Sequence, residues 1–501
     1  MRQLMHSFIG TQVPDEILNY IETGNIGAIC LFSHNVESPQ QLREMTRTMH
    51  DAARRGKQPP PIIGIDQEGG QLIAIMGGTT ELPGNMALGA TRSATLAQQA
   101  GDVLGRELLA MGVNMNFAPS VDVNNNPDNP VIGIRAFGDD PQHVGDLGLA
   151  MIEGMQAQGV IACAKHFPGH GDTKIDSHHG TPRIDHPLQR LHAVELKPFR
   201  AAIAGKVQAI MSAHIIYSAY DETTPSTLSH KIMHGLLRED LGFTGITITD
   251  AMDMHAVSSL GHQFAVEQAI LAGNDLILLG HLPDQLEMIT TLAHLENQAA
   301  VQRIQAARSQ LARDLPAFDV VGCDAHQAVA QKIADQSITC VRGEEVLGLQ
   351  LDSSQKIAVI TVIPANLTPA DTSSYVDIQL AHAIQKRHPH VLDVRMPHTP
   401  SDADIAHVLA QVADADTVVI GTISADTSTA QAEVVNQLIE RGQAPIAIAM
   451  RTPYDLIAYP NVTTYLCSYG IRDVSMEAVA RVLFGEIDAN GQLPCTLPNI
   501  V

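Results

Sequence analysis

From the N-terminus to about residue 320, short apolar runs alternate with longer stretches of helical period. The runs are Gly27–Phe32, Pro61–Asp66, Val113–Pro119, Ile161–Phe167, Ala209–His214, Gly245–Asp250 and Asp275–Gly280. They are rich in β-branched residues. Continuous apolar strands separated by helices belong to a parallel sheet buried on both faces. Seven such runs, with an eighth placed in the less regular Leu82–Thr91 region, predict a (β/α)8 barrel. A doubly wound open sheet is the structural alternative. No GxGxxG follows the first run, which weakens a dinucleotide-binding reading.

The rhythm fades between residues 315 and 345, where Ala- and Gln-rich helical segments lead into a second set of strands. These are Lys356–Ile363, Val391–Met396, Asp416–Thr422, Pro445–Met450 and Thr463–Ser468. They predict a smaller three-layer α/β/α sandwich. The expected organisation is a barrel over 1–320, a linker over 321–345 and the sandwich over 346–501. A chain of 501 residues agrees, because a single core stops growing near roughly 250–300 residues.

The strand ends carry the chemistry. Asp66, Lys165 with His166, His214 and Asp250 each stand at the C-terminal end of an apolar run. In a barrel all of these ends open on one face, so residues far apart in sequence converge. Polar residues that merely mark where strands surface explain one or two of them. They explain less well two acids, a lysine and two histidines at four strand ends.

The segment Lys165–Gly180, KHFPGHGDTKIDSHHG, adds four histidines and two aspartates in sixteen residues. His166 and His170 have a helical ligand spacing, but Pro168 and Gly169 between them make the segment a loop, so the helical metal-site argument fails. A zinc site built from loop ligands is one reading, and solvated side chains are another for His170 and His179. The third is proton transfer. Asp176 and His178 lie two apart, so an extended segment puts them on one side. A carboxylate beside an imidazole fixes its tautomer and stabilises its charged form, as a general acid/base requires. Asp250, on a rigid strand end, is the matching nucleophile for a sugar anomeric carbon. The glycines Gly169, Gly171 and Gly180 leave the loop free to move over a substrate.

Composition narrows the partners. A formal net charge of −23 argues against nucleic acid and anionic membrane. No apolar stretch reaches the length of a membrane span. Six scattered cysteines form no CxxC pair and fit a reducing compartment. The N-terminus lacks a charged start followed by a long hydrophobic run, so a cytoplasmic protein is expected. There is no Trp and aromatics make up 4% of the chain, so a carbohydrate enzyme here has a small polar pocket rather than a long groove.

These residues resemble the β-N-acetylglucosaminidases of glycoside hydrolase family 3. The matching segments are IDQEGG (Ile65–Gly70), Asn129–Pro141, Lys165–Gly180, Thr227–Met254, Ala265–Leu279 and Leu483–Pro498, in the family's order. The resemblance implies a retaining mechanism with Asp250 as nucleophile and His178, paired with Asp176, as acid/base. It implies that Asp66, Arg135, Lys165 and His166 bind the sugar, with His214 lining the pocket. Asp66 as a helix cap, Arg135 as a structural ion-pair partner and His179 in place of His178 are the competing readings. It further implies no metal and no organic cofactor, and terminal GlcNAc removed from a small carbohydrate. For a cytoplasmic enzyme that carbohydrate is a peptidoglycan-derived muropeptide; a chitobiose-like sugar is the other candidate. One departure stands out: many relatives carry Arg after DQEGG, and here the residue is Gln71. The rival functions are a phosphorylase on the same fold, which transfers the sugar to phosphate, and a non-catalytic sugar- or metal-binding protein.

Overall fold

The computed structural model describes residues 2–178, 180–312 and 314–498. His179, the alternative partner for Asp176, lies outside the described residues. Eight parallel strands form the first sheet: β1 (Leu4–His6), β2 (Ala28–Cys30), β3 (Ile62–Ile65), β4 (Met115–Asn116), β5 (Ile161–Phe167), β6 (Ala209–Ser212), β7 (Ile246–Thr249) and β8 (Ile277–Leu278). Neighbours in sequence are neighbours in space, β8 pairs with β1, and a bridge between Ile248 and Leu276 closes the ring. The barrel is therefore the one expected, with one correction. Leu82–Thr91 supplies no strand. It holds a helix, Asn85–Thr91, and the missing strand is the three-residue β1 at the N-terminus. A run as short as Leu-Met-His carries no readable periodicity.

Strand alternation fills the barrel. Met5, Ala28, Cys30, Ile62, Met115, Ile161, Cys163, Ala209, Met211, Ile246 and Ile248 form its interior core. The packing is tight enough that a Cβ on Gly64 would lie 2.5 Å from Phe117 and 2.8 Å from Met5. The intervening residues, such as Ile63, Ile65, Ala164 and Ile210, face the surrounding helices.

The second sheet contains β9 (Thr339–Arg342), β10 (Ile357–Val362), β11 (Val391–Met396), β12 (Thr417–Thr422), β13 (Ile446–Ala449) and β14 (Thr464–Cys467), in the order β9-β14-β13-β12-β10-β11. All neighbours are parallel except β9, which runs antiparallel to β14. β9 falls within the stretch 321–345 expected as a linker, as does the helix Asp324–Ser337 that precedes it. Helices Asp402–Gln411 and Thr429–Glu440 pack together, as do Leu380–Gln385 and Asp473–Leu483, giving the sandwich its outer layers. Met86, Ala87 and Ala90 from the Asn85–Thr91 helix join this second core, so the two domains share apolar packing.

Candidate active site

The barrel alternation that points Ile62 and Gly64 inward carries on to Asp66. Likewise Ile161 and Cys163 lead to Lys165, and Ile246 and Ile248 lead to Asp250. Each strand thus ends with a polar side chain in the barrel mouth. These side chains line a cavity of about 280 Å³, together with Arg135, His166, His170, Met211, Ser177 and His178. Residues far apart along the chain meet there, as the strand-end argument requires.

The floor is a charge network. The Lys165 Nζ lies 2.6 Å from Asp66 Oδ1 and 2.6 Å from Glu68 Oε1. Arg135 clasps Glu68 with two bonds, Nη2 to Oε1 at 2.7 Å and Nε to Oε2 at 3.0 Å. Burial opposes the charge on Glu68, but Arg135 and Lys165 outweigh it and hold its carboxyl at about 2. Burial likewise works against the Lys165 ammonium, and Asp66 and Glu68 outweigh that, so its pKa is raised. Arg135 is thus both an ion-pair partner and a cavity residue, which joins two readings that the sequence left apart.

His166 follows Lys165 across a cis peptide. Its Nδ1 donates to Asp122 Oδ2 at 2.7 Å, which leaves Nε2 as the acceptor, 3.4 Å from Arg135 Nη2. Asp122 is fully buried and also accepts from the backbone N–H groups of His166 and His170. Burial would raise its pKa, and the facing His166 and His170 drive it down instead.

Asp250 sits one residue past β7, where its Oδ1 accepts from the Ala251 N–H at 2.8 Å. Burial pushes its carboxyl up, but His166, His214, His178 and the Ala251 N–H together bring it down to about 2. His178 comes from the loop after β5. Its Nδ1 and its backbone N–H both donate to Asp176 Oδ1, at 2.6 and 2.9 Å. Burial works against the imidazolium, yet Asp176 and Asp250 raise the His178 pKa above the ordinary histidine value. The Asp176 carboxyl is lowered in turn, because its bonds from His178 outweigh burial.

The loop is held in place at several points. His170 is buried, with Nδ1 bonded to Thr173 Oγ1 and Nε2 to Ser177 Oγ, so it is not a solvated side chain. Burial and the neighbouring His166 lower its pKa to about 4. Asn129 donates to the His170 carbonyl at 2.8 Å, and the Ala256 N–H donates to the Ser177 carbonyl at 3.3 Å.

One expected residue is corrected. His214 is fully buried and does not line the cavity. Its Nδ1 bonds Thr227 Oγ1 and its Nε2 bonds the Ala251 carbonyl, so it faces the backbone behind Asp250. Two residues of the site are not singled out by the sequence reading, Glu68 and Asp122, and His170, weighed there as a loop ligand or a solvated side chain, is instead a buried residue of the cavity wall. Glu68 was in view inside DQEGG, and Asp122 lies three residues past the run Val113–Pro119; neither terminates a run, and so neither was selected.

The three imidazoles near the cavity each have a protein partner: Asp122 for His166, Thr173 and Ser177 for His170, Asp176 for His178. Among the described residues the grouping with metal-ligand geometry is Asp172, His186 and Glu195, outside the cavity. There Glu195 is already clasped by Arg190 and Asn125.

The family model of the glycosyl hydrolase family 3 N-terminal domain matches residues 2–313. The chain belongs to glycosyl hydrolase family 3. This hydrolase is 31% identical to a β-hexosaminidase A from Pseudoalteromonas piscicida over 97% of its own chain and 92% of the relative. It superposes on a family 3 β-N-acetylglucosaminidase from Paenibacillus sp. str. FPU-7 with a TM-score of 0.92 at 33% identity, covering 100% of this chain and 98% of the other. NagZ from Neisseria gonorrhoeae, solved with N-trifluoroacetyl-D-glucosamine, matches 67% of this chain and 98% of its own at a TM-score of 0.59 and 30% identity. The two-domain architecture of the family 3 hydrolase is thus shared with the Paenibacillus enzyme over its whole length.

Proposed function

We propose that this chain is a retaining, exo-acting β-N-acetylglucosaminidase. The relatives named as β-hexosaminidase and β-N-acetylglucosaminidase support the sugar, and the site supports the chemistry. One observation carries the mechanism: Asp250 from a barrel strand and the Asp176–His178 pair from a loop meet at one cavity, which Asp250 and His178 both line.

Cleaving a glycosidic bond requires a protonated group beside the leaving oxygen. Glu68, Asp122, Asp176 and Asp250 are all shifted toward the ionised form, whereas His178 is shifted toward the protonated one. His178 therefore gives the proton, through Nε2, because Nδ1 is committed to Asp176. Asp250 attacks C1 as the glycosidic bond breaks, forming a glycosyl ester. His178, now neutral, takes a proton from water, which displaces Asp250 and releases the sugar with its β configuration. Asp66, Lys165, Arg135 and His166 hold the sugar hydroxyls with charged donors and acceptors, which reject analogues lacking those hydroxyls.

A cavity of about 280 Å³ is just below the roughly 300–1,000 Å³ typical of ligand sites, which suits one terminal sugar. A peptidoglycan-derived muropeptide and a chitobiose-like disaccharide both present such a terminus. Six free cysteines favour a cytoplasmic setting, where the muropeptide fragment is the substrate. The test is a panel of aryl glycosides with and without the 2-acetamido group, followed by NMR of the first-formed anomer, in phosphate and phosphate-free buffer. The β anomer of N-acetylglucosamine in both buffers is expected. A first-formed α anomer overturns the retaining reading, and a sugar 1-phosphate replaces hydrolysis with phosphorolysis.

A further inference from the structure

The mechanism leaves one buried titratable side chain beside the nucleophile without a task. His214 follows the end of β6 by two residues, is fully buried and does not line the cavity, so it never meets a substrate. Both nitrogens of its ring are nevertheless engaged. Nε2 lies 3.0 Å from the Ala251 carbonyl and Nδ1 lies 2.9 Å from Thr227 Oγ1. A carbonyl only accepts, so Nε2 carries the hydrogen. Burial lowers the His214 pKa and keeps the ring neutral, and Nδ1 is then the acceptor for the Thr227 hydroxyl. The other acceptor near that hydroxyl, the Ala213 carbonyl at 2.9 Å, has the Thr227 backbone N–H at 3.2 Å as its donor. Thr227 thus fixes the tautomer in which His214 donates through Nε2.

What this ring holds is the turn that carries Asp250. The end of β6 grips that turn at two points. The Ser212 carbonyl accepts from the Asp250 N–H at 3.1 Å, and His214 donates to the Ala251 carbonyl. The same carbonyl accepts from the Met254 N–H at 3.1 Å, and the Met252 N–H donates to the Leu278 carbonyl of β8 at 2.9 Å. The peptide that follows Ala251 is therefore pinned between β6 and β8, and of its three bonds the one from His214 is made by a side chain. The peptide that precedes Ala251 presents the N–H bonded to Asp250 Oδ1 at 2.8 Å. That bond sets the rotation of the carboxylate and leaves Oδ2 for the anomeric carbon.

We infer that His214 is a positioning residue for the nucleophile: its Nε2–H holds the Ala251 carbonyl, and so holds in place the Ala251 N–H that aims the Asp250 carboxylate at the sugar. The inference rests on the reading of Asp250 as nucleophile given above. A misplacement of reacting atoms by about 1 Å costs about a hundredfold in rate, so a side chain that never meets the substrate is still expressed in kcat. The sugar hydroxyls are held by other residues, so binding of the terminal sugar does not depend on it.

The test uses the full-length enzyme and two amide replacements. A Gln side chain reaches as far as the histidine Nε2 and carries a donor there. Asn ends level with Nδ1, where it accepts from Thr227 but falls short of the Ala251 carbonyl. His214→Gln is expected to keep kcat on an aryl N-acetylglucosaminide within about threefold, and His214→Asn to lower it about ten- to hundredfold. An aryl group that departs without a proton is spared by a fault in the His178 loop but not by a fault in the nucleophile. N,N′-diacetylchitobiose should therefore lose rate by the same factor. Titration with free N-acetylglucosamine should give unchanged affinity, and kcat is expressed per sugar-binding site, so a misfolded fraction does not enter. Equal kcat in the two variants, whether both are active or both impaired, overturns the proposal, as does a loss confined to the disaccharide. The unaltered enzyme supplies a check free of folding defects. ¹⁵N NMR of its histidines, with His214 assigned by its absence in His214→Gln, should find the hydrogen on Nε2 at neutral pH; a hydrogen on Nδ1 overturns the proposal. If the unaltered enzyme turns over neither substrate, the functional reading fails first and His214 has no nucleophile to position.

Discussion

Glu68 shows how much of the site rests on single residues. It is buried between Lys165 and Arg135 and is the shared anion for both. Truncation to Ala leaves two buried cations short of a partner, and breaking a buried pair costs about 3–5 kcal/mol. Glu68→Ala should therefore lower the midpoint of guanidinium unfolding as well as abolish sugar binding, whereas Asp66→Ala, at the cavity surface, should cost activity more than stability. In the proposed mechanism the Asp176–His178 pair sets the pH response. Because Asp176 raises the His178 pKa, the imidazolium persists to higher pH than in an ordinary histidine, and kcat/KM falls only as pH climbs through that raised value. Asp176→Asn withdraws the charge while keeping the shape. The alkaline limb of the kcat/KM profile should then move to lower pH. Activity on that limb drops about tenfold if its midpoint moves down by about one pH unit. An unmoved limb would assign the proton donor elsewhere.

At the scale of elements, the regular parts were legible and the short ones were not. Seven barrel strands showed as apolar runs, and their polar ends converged because strand alternation continues past the last apolar residue. The strand β1 has three residues and lies too near the N-terminus to show a period. The Leu82–Thr91 stretch is apolar because its helix is buried between two domains, and burial on several sides erases the distinction between strand and helix. His214 looked like its neighbours at other strand ends, but whether a terminal side chain enters the mouth or turns to the backbone is decided by tertiary packing. The loop after β5 was legible as chemistry but not as structure. Its placement depends on His170 reaching Ser177, a contact over seven residues. His170→Ala should lower kcat on a disaccharide about ten- to hundredfold by misplacing His178. It should have a smaller effect on an aryl glycoside whose leaving group needs no proton.

At the scale of the molecule, the two domains are joined by shared apolar packing. Met86, Ala87, Ala90 and Ile134 of the barrel half are buried in the core of the second domain. A fragment spanning residues 1–320 exposes them, and size-exclusion chromatography should find it aggregated or lost from the soluble fraction. The central claim joins a fixed carboxylate of the barrel to a loop imidazole in one cavity. Mass spectrometry of a trapped intermediate tests it most directly. His178→Ala, incubated with an aryl N-acetylglucosaminide whose leaving group departs without a proton, should accumulate the glycosyl-enzyme. Peptide mapping should then find one added N-acetylhexosamine on Asp250. The absence of any adduct while the β anomer is still released, or an adduct on Asp66 or Asp253, would contradict the account.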